Sequence, residues 1–191
     1  LNLRHRQVRN FMCLLMLSNG TPMICAGDEF LTTHRGNNNP YNQDNEINYI
    51  DWDLLKSNND VFRFVQGMIA FRKSHPSIGR SHFWREDVTW YGPQVRHPDL
   101  SERGQTLAWC LRGASIHDDD IYVMVNASPH NVRFRLQEGH ASEWMRVADT
   151  SLPGPADFVA PEARTALTSA DYLVTARSVV VFCKPAPASV L

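Results

Sequence analysis

The polar stretch from Phe30 to Asp51 carries the side chains best suited to bind a hydroxylated ligand. An amide has a donor and an acceptor side by side, which matches the vicinal hydroxyls of a sugar ring. An aromatic face such as that of Tyr41 or Trp52 can cover the apolar face of the same ring. The candidate ligand-contacting residues are Asn37, Asn38, Asn39, Tyr41, Gln43, Asp44 and Asn45. The alternative is that these asparagines only complete turns and satisfy their own backbone.

Asp28 and Glu29 are the carboxylates that directly precede this stretch. A glycosidase needs two carboxylates that flank the scissile bond, one of which donates a proton. Adjacent residues that leave a strand point in different directions, so this pair is poorly placed for that task. We therefore expect Asp28, Glu29 and Trp52 to be structural residues near the site. The two carboxylates would pair with an arginine or with backbone N–H groups of the loop.

Other reactive constellations are weak. No serine lies in the Gly-x-Ser-x-Gly turn that an esterase nucleophile needs, and no glycine-rich loop has the spacing of a phosphate-binding motif. His117 and the three aspartates after it alternate in direction along the chain and would rarely converge on one ion. A solvated turn between two strands is the preferred interpretation. The sequence thus predicts no catalytic residue, no metal and no cofactor.

A helix and a short apolar run precede the polar stretch. Residues 3–17 are apolar enough for a largely buried helix, with Arg4, Arg6 and Arg9 on its wetter face. Residues 22–26 form an uninterrupted apolar run, which predicts a strand buried on both faces, as in a parallel sheet. The carboxyl end of such a strand is where α/β proteins place binding sites.

A second helix is predicted after the polar stretch. The apolar residues between Val61 and Phe71 have helical spacing, and Asn58, Asn59 and Asp60 are suited to cap its start. Pro76 closes the helix, and His75 is expected to bind carbonyl groups at its end rather than to perform catalysis.

The pattern changes after Pro76 to short β segments separated by turn residues, which predicts an antiparallel sandwich of about a hundred residues. The tryptophans of this half are expected to pack in its core rather than to form a sugar-binding platform. The predicted strands are Val88–Tyr91, Thr106–Leu111, Ile121–Asn126, Val132–Leu136, Trp144–Ala148 and Ser178–Cys183. The alternation of Val123 with Val125 and of Phe134 with Leu136 predicts that the third and fourth of these strands are half-buried.

Charge and cysteine content exclude several classes of protein. The formal net charge is -1, which offers no electrostatic footprint for nucleic acid or for an acidic membrane surface. No apolar run has the length of a transmembrane segment. Four widely spaced cysteines without a Cys-x-x-Cys pair indicate reduced, mostly buried thiols in a cytoplasmic protein.

Two strings in the first eighty residues resemble a known family. Leu17–Phe30 resembles the eighth barrel strand of the α-amylase superfamily of glycoside hydrolases, and Gly36–Trp52 resembles the signature of its bacterial glycogen-debranching and isoamylase branch. Phe71–Lys73 together with His75–Pro76 is similar to the helix after that signature. The β-rich remainder is similar in order to the C-terminal sandwich of the family.

The resemblance implies an intact enzyme that hydrolyses α-1,6 branch linkages in glycogen or limit dextrin. Family members use an aspartate nucleophile, a glutamate acid/base and a second aspartate, which lie on the fourth, fifth and seventh barrel strands. This chain resembles only the region after the seventh strand, and a complete barrel needs roughly 250 residues. We expect the chain to lack the catalytic carboxylates, to be inactive alone and to depend on an N-terminal barrel as its partner.

The fold expected from these observations is α+β in two parts. Residues 1–80 form the last helix, strand, loop and helix of a (β/α)8 barrel, and residues 81–191 form an antiparallel β-sandwich. Without the barrel, the first part would pack its helices onto the sandwich, self-associate or lose order, since its strand would have unpaired edges. The alternative function is a stand-alone carbohydrate-binding module or a purely structural sandwich.

Overall fold

The computed structural model describes residues 2–94 and 96–186 and places helices first and a β-sandwich second. The helices are α1 (Asn2–Leu17), α2 (Asp53–Ser57) and α3 (Asn59–Ser74). The strands are β1 (Val88–Tyr91), β2 (Thr106–Leu111), β3 (Asp120–Asn126), β4 (Val132–Arg135), β5 (Met145–Asp149), β6 (Asp171–Val174) and β7 (Ser178–Lys184). Within the described ranges, no helix is both long and apolar enough to cross a membrane.

The strands form two antiparallel sheets. Five strands pair in the order β1-β2-β3-β7-β5, and β4 pairs with β6 in a second sheet. One apolar core lies between the two sheets and includes Tyr122, Phe134 and Trp144. A second core, which includes Val123 and Val181, lies between the five-stranded sheet and the helices. The expected α+β class with a C-terminal antiparallel sandwich is confirmed.

All six predicted strands are present, with ends that differ by at most one residue. The alternation predicted for β4 is confirmed, since Phe134 is buried between two exposed arginines. The interpretation of β3 as half-buried is wrong, because helices cover the face that would otherwise meet water. Strand β6 is absent from the sequence prediction, since only Tyr172 and Val174 of its four residues face the sheet core.

Helix α1 has the predicted extent, but its basic face differs from the expectation. Arg9 is only 7% exposed and donates through Nη1 to Asp157 Oδ2 at 3.0 Å. Asn10 is also buried, and its side-chain Oδ1 accepts a hydrogen bond from Thr150 Oγ1 at 2.5 Å. Arg4 is exposed as expected and Arg6 is half-buried, so only the part of the face that carries Arg9 and Asn10 is buried on the sandwich. Asp157 and Thr150 supply the hydrogen-bond partners that buried polar groups require there.

The start of α3 differs from the predicted capping, whereas His75 at its end has the predicted role. No capping hydrogen bond from the Asn58 side chain is found at its start, since Asn58 Nδ2 donates instead to Phe30 O at 3.1 Å. At its end His75 Nδ1 lies 2.6 Å from Phe71 O, as expected of a residue that binds helix carbonyls. Arg72 Nη1 donates to Met16 O and Ser18 O, both at 2.7 Å, and so caps α1 instead of its own helix.

The predicted strand at residues 22–26 is not formed, which corrects the sequence interpretation. The segment has no strand partner among the described residues, and Met23 is 87% exposed. A β-strand exists only through hydrogen bonds to a neighbour, and no other strand of the described chain reaches this segment. The local apolar pattern is therefore insufficient to form the element.

The helices pack directly on the sheet, which is one of the three arrangements expected of the first part in the absence of a barrel. Met16, Phe64 and Met68 share one core with sheet residues Val123 and Val181. The boundary between residues 80 and 81 stays a prediction.

The four cysteines are free, and Cys25 alone of the four is exposed. Burial raises the pKa of the Cys13 and Cys183 thiols and raises that of Cys110 to about 12.

The close contact between Gly67 of α3 and the ring of Phe158 leads to a prediction about stability. A Cβ added at Gly67 would lie 2.7 Å from Phe158 Cδ1. We expect Gly67→Ala to lower the free energy of unfolding by about 1 kcal/mol, since an overpacking cost of about 1–3 kcal/mol exceeds a helix-propensity gain of about 1 kcal/mol. In a Phe158→Leu background the same substitution should be neutral or stabilising. Urea unfolding of the four variants measures this, and an equal loss in both backgrounds contradicts it.

Candidate functional site

The polar stretch of residues 30–51, called the loop below, is held at its base by an aromatic cluster that includes Phe62 of α3. Gly27 has a φ of 96°, which starts a short 3₁₀ turn at Asp28–Phe30. The buried ring of Phe30 lies 5.7 Å from that of Trp52 and 6.4 Å from that of Phe62. Because Trp52 follows the loop and Phe30 precedes it, the two ends of the loop meet at the start of α3.

The carboxylates of Asp28 and Glu29 bind backbone N–H groups, as one of the two expected structural roles requires. Asp28 Oδ2 accepts a hydrogen bond from Cys25 N at 3.1 Å, and Glu29 Oε2 accepts one from Gly27 N at 2.9 Å. Each carboxylate thus fixes the backbone that leads into the loop. Trp52 is 65% exposed, but its ring contact with Phe30 makes it part of the loop base.

Two of the candidate amides complete turns, which is the alternative left open by the sequence. Asn37 Oδ1 accepts a hydrogen bond from Asn39 N, and Asn45 Oδ1 accepts one from Ile47 N, both at 3.0 Å. These bonds to the backbone two residues further on are the pattern of an Asx turn. Asn37 and Asn45 therefore shape the loop from within.

Other candidates present their side chains outward. Asn38 and Asn39 are exposed, and Gln43 is half-buried. Among the described residues, none bonds to the side-chain amides of these three. Tyr41 is 79% exposed, so its ring is available to a ligand. The loop thus separates amides that build its turns from amides that face solvent.

A cleft of about 320 Å³ under the loop contains residues that the sequence interpretation omitted. Its lining includes Thr33, Arg35, Glu46, Tyr49 and Asp51. The Tyr49 hydroxyl donates to Asp44 Oδ1 at 2.7 Å, and this hydrogen bond raises the pKa of Tyr49. A selection based on amides misses these residues, although charged side chains also bind hydroxyl groups. The signal available in the sequence is only their position inside the polar stretch.

The acidic turn at residues 117–120 lies between β2 and β3, as predicted, but it is not simply solvated. Asp118 is buried and accepts a hydrogen bond from Ser77 N at 2.8 Å. Asp119 Oδ2 lies 3.4 Å from His75 Nε2, and Asp120 Oδ1 accepts a hydrogen bond from Gly113 N at 3.0 Å. The three carboxylates thus bind separate partners, and those of Asp118 and Asp119 attach the turn to the segment at the end of α3.

Most tryptophans of the sandwich pack in its cores, as expected. Trp144 is fully buried, Trp109 is buried, and Trp84 packs against the core between the sheet and the helices. Trp90 is exposed on the edge strand β1, where its ring lies 5.7 Å from that of Trp109.

Comparison with solved structures identifies the fold of this arrangement. The chain is similar to the pullulanase type I from Bacillus subtilis complexed with maltose, with a TM-score of 0.75 and 23% identity over 97% of the chain and 24% of that structure. A pullulanase from Bacillus acidopullulyticus gives a TM-score of 0.74 and 22% identity over 95% of the chain and 20% of that structure. The helices, the loop and the sandwich together have the fold of one region of a pullulanase.

Sequence comparison identifies the family that the chain resembles. Residues 89–182 match the family model described as Isoamylase 1-3, C-terminal. Isoamylase 1 from rice (Oryza sativa) is 38% identical over 158 residues, which are 82% of this chain and 19% of the relative. A homologue of the glycogen operon protein GlgX from Mycobacterium tuberculosis is 32% identical over 210 aligned residues, covering 96% of this chain and 28% of that protein.

Residues 89–182 thus match the isoamylase C-terminal domain, and the chain aligns with the C-terminal portion of its isoamylase and GlgX relatives. The resemblance recognised in the sequence is confirmed. The chain spans between about a fifth and somewhat over a quarter of the length of the curated relatives it matches.

The contact between Asp119 and His75 predicts a pH dependence of stability. The hydrogen bond with His75 is the largest cause that holds the pKa of Asp119 below its usual value. A carboxyl group whose pKa is lower in the folded state contributes stability above its unfolded pKa and loses it as the pH falls through the folded pKa. We therefore expect the urea midpoint to fall below about pH 4, and to fall less steeply in Asp119→Asn. The exposed Asp53→Asn is the control, and identical pH profiles for the wild type and Asp119→Asn contradict the prediction.

Proposed function

We propose that this chain is the C-terminal part of a glycoside hydrolase that cleaves α-1,6 branch linkages in glycogen or limit dextrin. The observation that carries the proposal is that similarity extends over nearly the whole chain, through the exposed loop as well as the sandwich. An isoamylase from Pseudomonas amyloderamosa is likewise 34% identical over 87% of this chain. A cytoplasmic location stays a prediction from the cysteine pattern, and the rice relative is named chloroplastic.

The open face around residues 22–26 supports an N-terminal barrel as the partner. One groove of about 280 Å³ is lined by Ile24 of this segment and by Val65 and Ile69 of α3. A second groove of about 250 Å³ is lined by Val8 and Phe11 of α1 and by the turn at residues 28–32. Phe11 is 72% exposed, which is unusual for a large apolar side chain on a helix of a compact protein. In our proposal, barrel strands occupy both sides and turn residues 22–26 into a strand. Self-association of the isolated chain would use the same face.

The chain's own residues bind and orient the substrate in this proposal, while the catalytic carboxylates lie on the preceding barrel strands. Asp28 and Glu29 accept hydrogen bonds from backbone N–H groups, so they have a structural role and not a catalytic one in this proposal. Asn38, Asn39 and Gln43 would exchange hydrogen bonds with sugar hydroxyls, and Tyr41 would cover the apolar face of a glucose ring. Asn37, Asp44 and Asn45 would act on the sugar indirectly, by holding the shape of the loop.

The alternative is a carbohydrate-binding module that acts on its own. The exposed ring of Trp90 is the observation that favours it, because aromatic faces stack on sugars. This alternative predicts saturable binding of maltooligosaccharides by the isolated chain, measured by calorimetry. Our proposal expects no binding of comparable strength, since the loop meets only part of the substrate.

Activity tests the proposal directly. In a chimera, this chain replaces the equivalent C-terminal residues of the Pseudomonas amyloderamosa isoamylase. We expect the chimera to release linear chains from glycogen and the isolated chain to release none, because only the chimera contains the catalytic carboxylates. Reducing-end assays with a host-only truncation as the control measure both. A well-folded but inactive chimera overturns the proposal, as does hydrolysis by the isolated chain free of contaminating enzyme.

The division of roles within the loop is tested in the same chimera. We expect Asn38→Ala with Asn39→Ala to raise KM for branched glucan on the order of tenfold, as loss of about 1.4 kcal/mol of hydrogen bonding would. Stability should stay within about 0.5 kcal/mol of wild type, since these side chains are exposed. Asn45→Ala is the matched comparison and should loosen the loop itself. An unchanged KM for the double variant excludes the assigned contacts.

A further inference from the structure

The turn at residues 153–158 joins the sandwich to both long helices through a buried carboxylate. Asp157 is 0% exposed, and its Oδ2 accepts a hydrogen bond from Arg9 Nη1 of α1 at 3.0 Å. Its Oδ1 accepts a charge-assisted hydrogen bond from Arg63 Nη2 of α3. The backbone carbonyl of Asp157 accepts a hydrogen bond from Asp149 N at 2.9 Å, which attaches the turn to β5. One residue of the sandwich thus holds three elements.

The neighbouring Phe158 extends the contact along α3. Its ring packs edge-to-face on Phe64, with 6.4 Å between the ring centroids. Gly67, one turn further along α3, leaves room for the same ring. The turn therefore determines both the position and the rotation of α3, since a directional ion pair and a ring contact fix two successive turns of the helix.

The start of α3 also carries the base of the loop. Phe62, the residue before Arg63, contacts the ring of Phe30. Asn58 Nδ2 donates to the carbonyl of Phe30 at 3.1 Å. Adjacent residues of a helix point in different directions, so this part of α3 contacts the loop with one side and the sandwich with another. A displacement of Arg63 would displace Phe62 and the loop base with it.

We infer that Asp157 is a positioning residue for the glucan-contacting loop, acting through Arg63 and the start of α3. This inference rests on the proposed function for its significance in catalysis, but the mechanical coupling exists in the chain itself. The sandwich would then do more than cover a barrel, because it would set the orientation of Asn38, Asn39 and Tyr41 toward the substrate.

Hydrogen exchange of the isolated chain tests the coupling without any substrate. Arg63→Gln removes the α3 arm and leaves the pair between Arg9 and Asp157 in place. We expect the backbone amides of residues 30–32 and 47–49 to exchange on the order of tenfold faster than in the wild type, because the loop base opens locally. The exchange rates of the amides in β3 and β7, which report on global stability, should change by much less. Arg6→Ala is the matched control, since Arg6 Nη1 also joins a helix to the sandwich, at Ala176 O, but on α1.

Three further results decide the outcome. Arg6→Ala should leave loop exchange within about twofold of wild type. Arg63→Lys, which keeps the charge, should restore part of the protection, a result that a general loss of stability would not produce. Equal acceleration in Arg63→Gln and Arg6→Ala overturns the inference, as does unchanged loop exchange in Arg63→Gln. In the chimera Arg63→Gln should raise KM more than it lowers kcat. Since the exchange experiment needs no activity, failure of the proposed function is distinguishable from failure of the coupling.

Discussion

The carboxylate of Asp157 determines how the helices lie on the sheet. Moving a charge from water into the protein interior is costly, and this cost is offset only when partners of opposite charge lie in good geometry. Arg9 and Arg63 provide those partners from two different helices. Apolar contacts between the helices and the sheet supply most of the stabilisation, but they tolerate small shifts. The paired arginines do not, because each hydrogen bond has a required distance and direction.

A second consequence of this arrangement is that the central strands are buried on both faces. Tyr122 and Met124 of β3 point into the core between the sheets, while Ile121 and Val123 point into the core beneath the helices. Several buried polar groups at the helical interface bind each other, as Asn10 and Thr150 do. The helical layer thus covers a sheet face that would otherwise contact water, and the buried polar residues Arg9 and Asn10 of α1 bind polar groups of the sandwich.

Elements that depend on local pattern could be predicted from the sequence, and those that depend on distant partners could not. The long helices and six strands follow from hydrophobic spacing and turn residues. Residues 22–26 are apolar enough for a strand but form none, because strand formation needs neighbours that the described chain does not provide. The sequence places Arg9 on a wet face because nothing in its local pattern reveals Asp157, which lies 148 residues further along the chain.

The loop shows why the two interpretations of an asparagine-rich stretch are compatible. Asn37 and Asn45 fold the backbone through their side-chain oxygens, so the backbone between them is ordered without a hydrophobic core of its own. A loop ordered in this way loses less conformational entropy when it binds a ligand than a flexible one does. Asn38 and Asn39 lie within the turn made by Asn37, and their side chains are exposed. The turns formed by Asn37 and Asn45 therefore hold the loop in the shape in which the other amides would bind sugar. The contacts between the loop base and α3 connect this ordered loop to the sandwich.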